Sequence, residues 1–364
     1  MIHSSFDNIL TIDLKGIVDN YATVKNSLNK DTNIAVVVKA NAYGYGVREI
    51  AIKLSSLGCS RFFVATLEEA LELRSFSLTD EIYVLNGIAR GQEEHFFIQN
   101  IIPVINSYDE FLLWSIYAQR KGVNMPCLFQ LDTGLNRLGI SLKEFNKIVK
   151  DTNINNLRIL YVITHLSTAY KKDSPSNLDQ LNKLKSIKKI LPETPLSIAN
   201  SGGAYLGEEY HLDLVRIGNS IFGHRNCNPA ISKKFVSLKA SIIHKNYVEE
   251  DCYVGYEQTA FVKAGTKLAT IGIGYADGIP RNATGKGYCF IADVKVPFVG
   301  RVSMDTITID VTHISDKEVY IGAEVEMIGK NCSIEDVANY SGCYSNEIML
   351  NIGKRVRRKY IDTN

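Results

Sequence analysis

The chain has 364 residues, 45% of them hydrophobic and 22% charged, a composition typical of a globular protein large enough for two domains. Because 41 Lys and Arg face 39 Asp and Glu, the formal charge is only +2, which gives no reason to expect nucleic acid or an acidic membrane surface as a partner. No apolar run approaches the roughly 20 residues of a membrane span, and the first residues lack the pattern of a secretory signal.

Eight short apolar runs mark the first two-thirds of the chain. They are rich in β-branched and aromatic residues and mostly lack the alternation of a half-exposed strand, which favours a parallel sheet covered on both faces. The runs lie at 34–38, 61–65, 81–85, 101–105, 126–131, 158–164, 195–199 and 213–217.

Stretches with helical spacing separate these runs. In 178–191, for example, Leu178, Leu181, Leu184 and Ile187 recur at three-residue steps and predict one apolar helix face. Eight strands that alternate with helices predict an α/β fold, a TIM (β/α)8 barrel. A doubly wound open sheet is the alternative, since alternation alone fixes only the α/β class.

After about residue 234 the pattern changes to short strands broken by glycine, with helical spacing only near 333–342. We therefore predict a barrel domain over 1–233 and a mainly β domain over 234–364, with the boundary inside 227–234. Residues 1–10 are expected to pair with the β domain.

The seven cysteines are scattered and include no C-x-x-C pair, so neither a disulfide framework nor a metal site is expected. A reducing cytoplasm is the simplest location for such a chain.

Polar residues follow five of the eight predicted strands, at the end of a βα barrel where catalytic groups belong. Lys39 follows four apolar residues, and burial there would lower its pKa and favour Schiff-base chemistry with a carbonyl cofactor. The competing interpretation is a lysine whose amine reaches solvent. The other strand ends carry Asp132 to Arg137, His165, Asn200 to Gly203, and Arg216 to Asn219.

Two glycine-containing loops, NSGG (200–203) and IGNS (217–220), follow the seventh and eighth strands, where barrels often bind phosphate. Ordinary turn chemistry is the alternative. No G-x-G-x-x-G or Walker pattern occurs, so a dinucleotide is disfavoured. His165 and Arg216 taken singly are typical of satisfied core residues, but with Lys39 and a phosphate loop they suggest a pyridoxal phosphate site.

The chain resembles the alanine racemase family of fold-type III pyridoxal-phosphate enzymes. Seven motifs carry the resemblance, in family order from about residue 9 to residue 360: VVKANAYGYG, LDTGLNRLGI, ITHLSTAY, ANSGGAYL, DLVRIGNSIFG, IGIGYADG and GRVSMDT. The resemblance implies a homodimer with shared active sites and an amino-acid substrate.

The resemblance also implies roles for individual residues. Lys39 would bond to the cofactor and act as one base, and Tyr275 of a second subunit would be the other, because racemisation needs a base on each face. Tyr43, Asn200, Ser201, Gly218 and Asn219 would surround the phosphate, Arg216 the pyridine nitrogen, His165 and Leu85 the ring, and Arg137, Met304 and Asp305 the substrate.

Four positions depart from the family pattern. Tyr45 stands where histidine is common, and Tyr170 replaces an acidic residue of the entrance corridor. Gln130 replaces a lysine that is carbamylated in many relatives, so we expect Arg137 to be held by the Gln130 amide or by a small anion. Lys354 stands where relatives have a tyrosine that reaches the phosphate, and we expect it to meet the phosphate as a point charge.

The sequence therefore predicts an alanine racemase that supplies D-alanine for peptidoglycan. A broader racemase that also accepts serine remains open, as does a non-catalytic pyridoxal-phosphate protein. A decarboxylase of the same fold type is less consistent, because Ser303 stands where that chemistry needs a thiol.

Overall fold

The computed structural model describes residues 7–76, 80–224, 228–232 and 234–363. Its contacts divide the chain into a larger unit (Val18–Ala42 and Gly46–Ile231) and a smaller unit (Met1–Ile17, Tyr43–Tyr45 and Ser232–Asn364). Lys233 lies outside the described residues, so the predicted boundary at 233–234 stays a prediction.

The bounds of the regular elements follow in chain order. The strands are β1 (Ile9–Asp13), β2 (Asn33–Val37), β3 (Arg61–Val64), β4 (Glu81–Val84), β5 (Ile101–Ile105), β6 (Met125–Gln130), β7 (Leu157–Ile163), β8 (Leu196–Ser197), β9 (Leu214–Ile217), β10 (Val236–Tyr247), β11 (Cys252–Val254), β12 (Ala260–Val262), β13 (Lys267–Ile271), β14 (Tyr288–Ile291), β15 (Val294–Val299), β16 (Ile307–Asp310), β17 (Glu324–Ile328) and β18 (Arg357–Ile361). The right-handed α-helices are α1 (Leu14–Asn26), α2 (Val47–Ser55), α3 (Leu67–Arg74), α4 (Glu93–Ile98), α5 (Tyr108–Lys121), α6 (Leu142–Ile148), α7 (Pro175–Lys185), α8 (Ile334–Ser341) and α9 (Ser345–Asn351).

Strands β2 to β9 form one parallel sheet in the order β8-β7-β6-β5-β4-β3-β2-β9. Main-chain hydrogen bonds between its two edges then close the ring, from Asp213 N to Leu196 O at 3.1 Å and from Arg216 N to Ala199 O at 3.0 Å. The predicted (β/α)8 barrel is thereby confirmed, and the open doubly wound sheet is wrong.

The barrel wall is apolar on both of its faces. A central cluster packs side chains from successive strands, among them Ala35, Phe63, Tyr83 and Leu128, each fully buried. The rings of Phe63 and Tyr83 stack with centroids 4.6 Å apart. Burial on both faces explains why the strands read as continuous apolar runs, because helices cover the outer face of a parallel barrel.

The predicted apolar face of the helix after β7 is wrong at one position. Leu178 is 55% exposed, whereas Leu181, Leu184 and Ile187 are buried as expected. The buried residues of α7 are instead Asn177, Gln180, Leu181 and Leu184, at the spacing of one helix face. Two polar side chains, at positions that the periodicity left outside the apolar face, therefore share the buried face with Leu181 and Leu184.

The smaller unit is built on an eight-stranded, mainly antiparallel sheet in the order β13-β16-β15-β14-β17-β10-β1-β18. The N-terminal strand β1 lies inside this sheet, antiparallel to β10 and parallel to β18. Strands β11 and β12 form a separate hairpin. Within the described residues of both units, no helix is long and apolar enough to cross a membrane.

Candidate active site

A left-handed turn follows Lys39 at the end of β2. Four consecutive non-glycine residues, Ala40, Asn41, Ala42 and Tyr43, have φ between 51° and 57°. Such a conformation costs an L-residue about 1–2 kcal/mol, so it persists only where surrounding contacts determine it. The side chain of Asn41 provides one such contact, because its Oδ1 accepts a hydrogen bond from Val47 N at 2.8 Å.

Lys39 itself is partly buried. Burial lowers the pKa of its amine, and the nearby Arg137 cation lowers it further, whereas the Glu69 carboxylate raises it. The net pKa lies below the ordinary value, so a larger fraction of the amine is neutral and able to attack a carbonyl.

The loop that carries Arg137 is held by a single carboxylate. Asp132 Oδ1 accepts hydrogen bonds from the main-chain N–H groups of Gly134, Leu135 and Asn136 at 2.9–3.1 Å. Arg137 is exposed and forms no ion pair with a described residue. A guanidinium without a carboxylate partner, carried by a loop that is held in this way, is suited to a substrate carboxylate.

Gln130 lies at the end of β6, 7% exposed. Its main-chain oxygen accepts a hydrogen bond from Ile140 N at 2.8 Å, but its side-chain amide forms none with Arg137 or any other described residue. The structure therefore does not bring Gln130 and Arg137 together as a hydrogen-bonded pair, and the way in which Arg137 is held rests on the Asp132 loop.

His165 and Asn200 join the ends of β7 and β8. Asn200 Nδ2 lies 3.2 Å from His165 Nε2, and Asn200 Oδ1 accepts hydrogen bonds from Gly202 N and Gly203 N. An amide donor opposite Nε2 assigns the proton of the neutral ring to Nδ1. Burial, followed by the charges of Arg216, Arg137 and Lys39, lowers the pKa of His165 to about 3.

Arg216 on β9 is 4% exposed and has no carboxylate partner among the residues that the structure describes. Its Nη1 donates to Ser197 Oγ and its Nη2 donates to the main-chain oxygen of Thr164. Burial lowers the pKa of the guanidinium to about 10, which leaves it protonated at neutral pH. A buried cation with only neutral partners retains capacity to meet an anion or a basic ring nitrogen.

The two predicted phosphate loops are joined through Ser201. Its Oγ accepts hydrogen bonds from Gly218 N at 3.0 Å and Ser220 N at 3.1 Å. The hydroxyl proton of Ser201 donates to no described residue, so it can meet a ligand oxygen. Asn219 Nδ2 donates to Tyr170 Oη at 3.2 Å, which places Tyr170 beside these loops.

Three further predicted positions are Leu85 in the larger unit and Tyr43 and Tyr45, which belong to the smaller unit. Leu85 is partly buried and packs against the central apolar cluster. Tyr43 is the last residue of the left-handed turn and is partly buried. Tyr45 is fully buried, and its main-chain oxygen accepts a hydrogen bond from Tyr360 Oη at 2.9 Å.

In the smaller unit, Tyr275 lies on a turn that is fastened to the segment 303–304. Tyr275 N donates to Ser303 O at 3.1 Å, and Ala276 N donates to Met304 O at 3.0 Å. Tyr275 is 41% exposed and Met304 is 52% exposed. The structure thus brings Tyr275 and Met304 to one exposed surface of this unit.

Arg355 connects this turn to Asp305. Its Nε and Nη2 donate to the carboxylate of Asp277 at 3.0 and 3.1 Å, and its Nη1 donates to Asp305 Oδ1 at 2.7 Å. Asp277 also accepts a hydrogen bond from Gly274 N at 2.9 Å. The neighbouring Lys354 is exposed and forms no contact with a described residue that would orient it.

Three residues of the site escaped the sequence interpretation. Glu69 and Gln180 lie on helices, and Arg355 belongs to none of the seven motifs. A helix side chain that binds main-chain groups leaves no motif, although the T-x-x-E spacing of Thr66 and Glu69 does indicate a helix N-terminus.

Comparison with known proteins covers both units. Residues 12–226 match the family model "Alanine racemase, N-terminal domain", and residues 235–360 match "Alanine racemase, C-terminal domain". The alanine racemase of Rickettsia canadensis is 37% identical over 96% of the chain and 98% of its own length. The alanine racemase of Brucella canis is 37% identical over 98% of the chain and 94% of its own length.

A crystal structure of alanine racemase from Bartonella henselae with covalently bound pyridoxal phosphate is similar over 98% of the chain and 99% of its own length, with a TM-score of 0.92 and 36% identity. Barrel, site and relatives together define an isomerase that acts on amino acids. The chain belongs to the alanine racemase family.

Proposed function

We propose that this enzyme is a pyridoxal-phosphate-dependent racemase that interconverts L- and D-alanine. One observation carries the proposal: at the end of the barrel Asn200 Nδ2 lies 3.2 Å from His165 Nε2, and the buried Arg216 donates to the main-chain oxygen of the adjacent Thr164. The charges of Arg216, Arg137 and Lys39 each lower the pKa of this histidine. Family membership over the whole chain supports the same reaction.

The residues at this barrel end fit pyridoxal phosphate. Lys39 has a depressed pKa and can bond to the aldehyde, Arg216 is buried without a carboxylate partner, and Ser201 retains a donor proton. Bound there, the cofactor would act as an electron sink that acidifies the α-proton of the amino acid. Gly218, Asn219, Asn200 and Tyr43 are the proposed surroundings of the phosphate, and Lys354 is a weaker candidate because nothing orients it.

Racemisation needs two bases because the α-proton leaves from one face and another proton returns to the opposite face. We assign Lys39 Nζ to one face and Tyr275 Oη to the other. The family resemblance implies that this tyrosine comes from the second subunit of a homodimer, together with Met304 and Asp305. Arg137 would bind the substrate carboxylate and hold the α-carbon between the two bases.

Arg216 would face the pyridine nitrogen. A guanidinium donates a hydrogen bond without giving up its proton, so Arg216 would not protonate the ring nitrogen of a bound cofactor. Such an environment would favour racemisation over transamination. His165, held neutral by its surroundings, would pack beside the ring without adding a charge.

The proposed cellular role is to supply D-alanine for peptidoglycan in the cytoplasm. The cysteines among the described residues are free thiols, which suits a reducing compartment. Racemisation of serine is the second candidate, because Gln130 and Tyr170 depart from the family pattern near the substrate and corridor.

Borohydride reduction followed by peptide mapping tests the proposal. We expect pyridoxal phosphate to be trapped on Lys39, and the Lys39→Ala variant to show neither trapping nor turnover. Initial rates with L-alanine, L-serine and L-lysine would rank the substrates. A purified wild-type protein that traps the cofactor but racemises none of them would favour a non-catalytic carrier.

Tyr275→Phe separates the second base from cofactor binding. We expect this variant to keep the visible absorbance of the cofactor and to lose racemisation, most strongly in the direction that starts with proton removal by Tyr275. Unchanged rates in both directions would contradict the assignment of Tyr275.

A further inference from the structure

We propose that Glu69 is a positioning residue that fixes the direction of the Lys39 side chain by clamping the left-handed turn to the neighbouring strand. The inference rests on the proposed function of Lys39 and deepens it. Glu69 lies in the first turn of α3, which follows β3, whereas Lys39 follows β2.

The clamp consists of two short hydrogen bonds that one carboxylate accepts. Glu69 Oε1 accepts from Ala40 N and Glu69 Oε2 accepts from Ala65 N, both at 2.7 Å. Ala40 is the residue directly after Lys39, and Ala65 is the residue directly after β3. The two carboxylate oxygens thus connect the ends of two adjacent strands. Hydrogen bonds this short to a charged acceptor are stronger than hydrogen bonds between neutral groups.

The clamp acts at the first residue of the strained turn. Ala40 has a φ of 51°, and the three residues after it are also left-handed. The main-chain N–H of Ala40 points to Glu69 because of this conformation, so loss of the carboxylate removes one of the contacts that determine the turn. Ala40 N belongs to the peptide group that joins Lys39 to Ala40, so the orientation of this peptide group determines the direction of the Lys39 side chain.

Glu69 also supplies negative charge to a cationic surrounding. The charged groups that act on Lys39 are Arg137 from the loop after β6 and Glu69 from α3, and Lys39 in turn acts on His165 after β7. Arg137 disfavours the protonated amine and Glu69 favours it. Removal of the Glu69 charge is therefore expected to lower the pKa of the Lys39 amine further.

The adjacent Glu68 provides a matched control. It lies in the same first helical turn and carries the same charge, but it is exposed and contacts neither strand end. Glu69→Asp provides a second control, because it keeps the charge and shortens the reach by one methylene group. Comparison of the three variants separates hydrogen-bond geometry, local charge and helix stability.

The first measurement is the pH midpoint for acylation of Lys39 in the full chain freed of cofactor, followed by mass spectrometry. We expect the midpoint to fall in Glu69→Gln, because the carboxylate that favours the protonated amine is lost, and to stay at the wild-type value in Glu68→Gln. Equal shifts in both variants, or a lower melting temperature in Glu69→Gln with an unmoved midpoint, would overturn the proposal.

The second measurement uses the cofactor-loaded enzyme. We expect kcat with L-alanine to fall about tenfold in Glu69→Gln and in Glu69→Asp, since each loses a hydrogen bond to a charged group, while KM stays within about twofold because Arg137 is untouched. A wild-type kcat in Glu69→Asp would overturn the clamp. Absence of cofactor binding by the wild type would refute the proposed function, whereas the Lys39 midpoints would still decide the role of Glu69.

Discussion

The side-chain amide of Gln180 donates to the main-chain oxygen of His165 at 3.0 Å and to Thr133 Oγ1 at 3.1 Å. Its oxygen accepts hydrogen bonds from Ser167 N and Ser167 Oγ, both at 2.9 Å. This fully buried residue of α7 thereby fixes the chain after β6 and after β7 at once. Thr133 belongs to the loop that leads to Arg137, so Gln180 connects the positions of His165 and Arg137.

Gln180→Leu should lower both stability and substrate affinity. The leucine would remove the donor to the main-chain oxygen of His165 and one hydrogen bond of the buried Thr133 hydroxyl, so we expect a loss of about 1–3 kcal/mol in the free energy of unfolding and a rise in KM for alanine. Urea denaturation and steady-state kinetics measure the two effects. Asn182→Leu, on the exposed side of the same helix, serves as the control and should change neither.

His165 should make the protein less stable in mild acid. Its folded-state pKa of about 3 lies below the ordinary value of 6.5, so between these pH values the unfolded chain binds a proton that the folded chain does not. The contribution of the neutral His165 to the free energy of unfolding is therefore fully present above about pH 6.5. It declines as the pH falls, by at most about 1.4 kcal/mol per pH unit.

Urea denaturation at about pH 7 and about pH 5 measures this decline. The His165→Gln variant should lose less stability between the two pH values than the wild type does. His244→Gln, which changes an exposed histidine, should behave as the wild type. A decline of the same size in His165→Gln would show that His165 is not the group responsible.

Gly274 should be indispensable for the position of Tyr275. A Cβ at this residue would lie 2.3 Å from Met304 O and 2.4 Å from Ser303 O, which are main-chain atoms that cannot move aside independently. We expect Gly274→Ala to displace the turn at a cost of about 1–3 kcal/mol and to reduce racemisation at least as much as Tyr275→Phe.

Cofactor retention by Gly274→Ala should stay at the wild-type level, because Lys39 belongs to the other unit. Gly285→Ala is a suitable comparison: its φ is 68° and no atom lies within 4 Å of an added Cβ, so it carries conformational strain without a collision. An active Gly274→Ala variant would contradict the packing argument.

Arg216→Glu should raise transamination relative to racemisation. A carboxyl group beside the pyridine nitrogen would allow that nitrogen to hold a proton, which strengthens electron withdrawal and lengthens the lifetime of the deprotonated substrate. Pyruvate formed per racemisation event measures the partition. Arg216→Lys, which keeps the positive charge, should form no additional pyruvate; an unchanged ratio in Arg216→Glu would count against the role of Arg216.

The barrel was predictable because its strands are apolar on both faces, and Lys39, His165 and Arg216 were identifiable because each interrupts or ends such a run. The left-handed turn was not, since nothing in Ala-Asn-Ala-Tyr favours a positive φ except, weakly, asparagine. The T-x-x-E spacing predicts that the Glu69 carboxylate accepts a hydrogen bond from the N-cap residue of its own helix. It accepts instead from Ala65 N and Ala40 N.

Gln180 escaped prediction for a related reason. Periodicity in 178–191 assigned the buried face to apolar residues alone, whereas α7 buries Asn177 and Gln180 together with Leu181 and Leu184. A polar side chain on a buried helix face is costly unless main-chain groups satisfy it. Such partners come from elements that are distant in sequence, and a hydropathy pattern contains no information about them.

The contact between β8 and β9 links the loss of barrel structure to the loss of activity. Strand β8 has only two residues, and Ser197 Oγ both donates to Leu214 O at 2.6 Å and accepts a hydrogen bond from Arg216. The Arg216 guanidinium, which we assign to the coenzyme, therefore also joins β9 to β8 through Ser197. Loss of these hydrogen bonds, whether by heat or by mutation, would open the barrel and displace Arg216 at the same time. A molecule with an open barrel that is still active should therefore be rare.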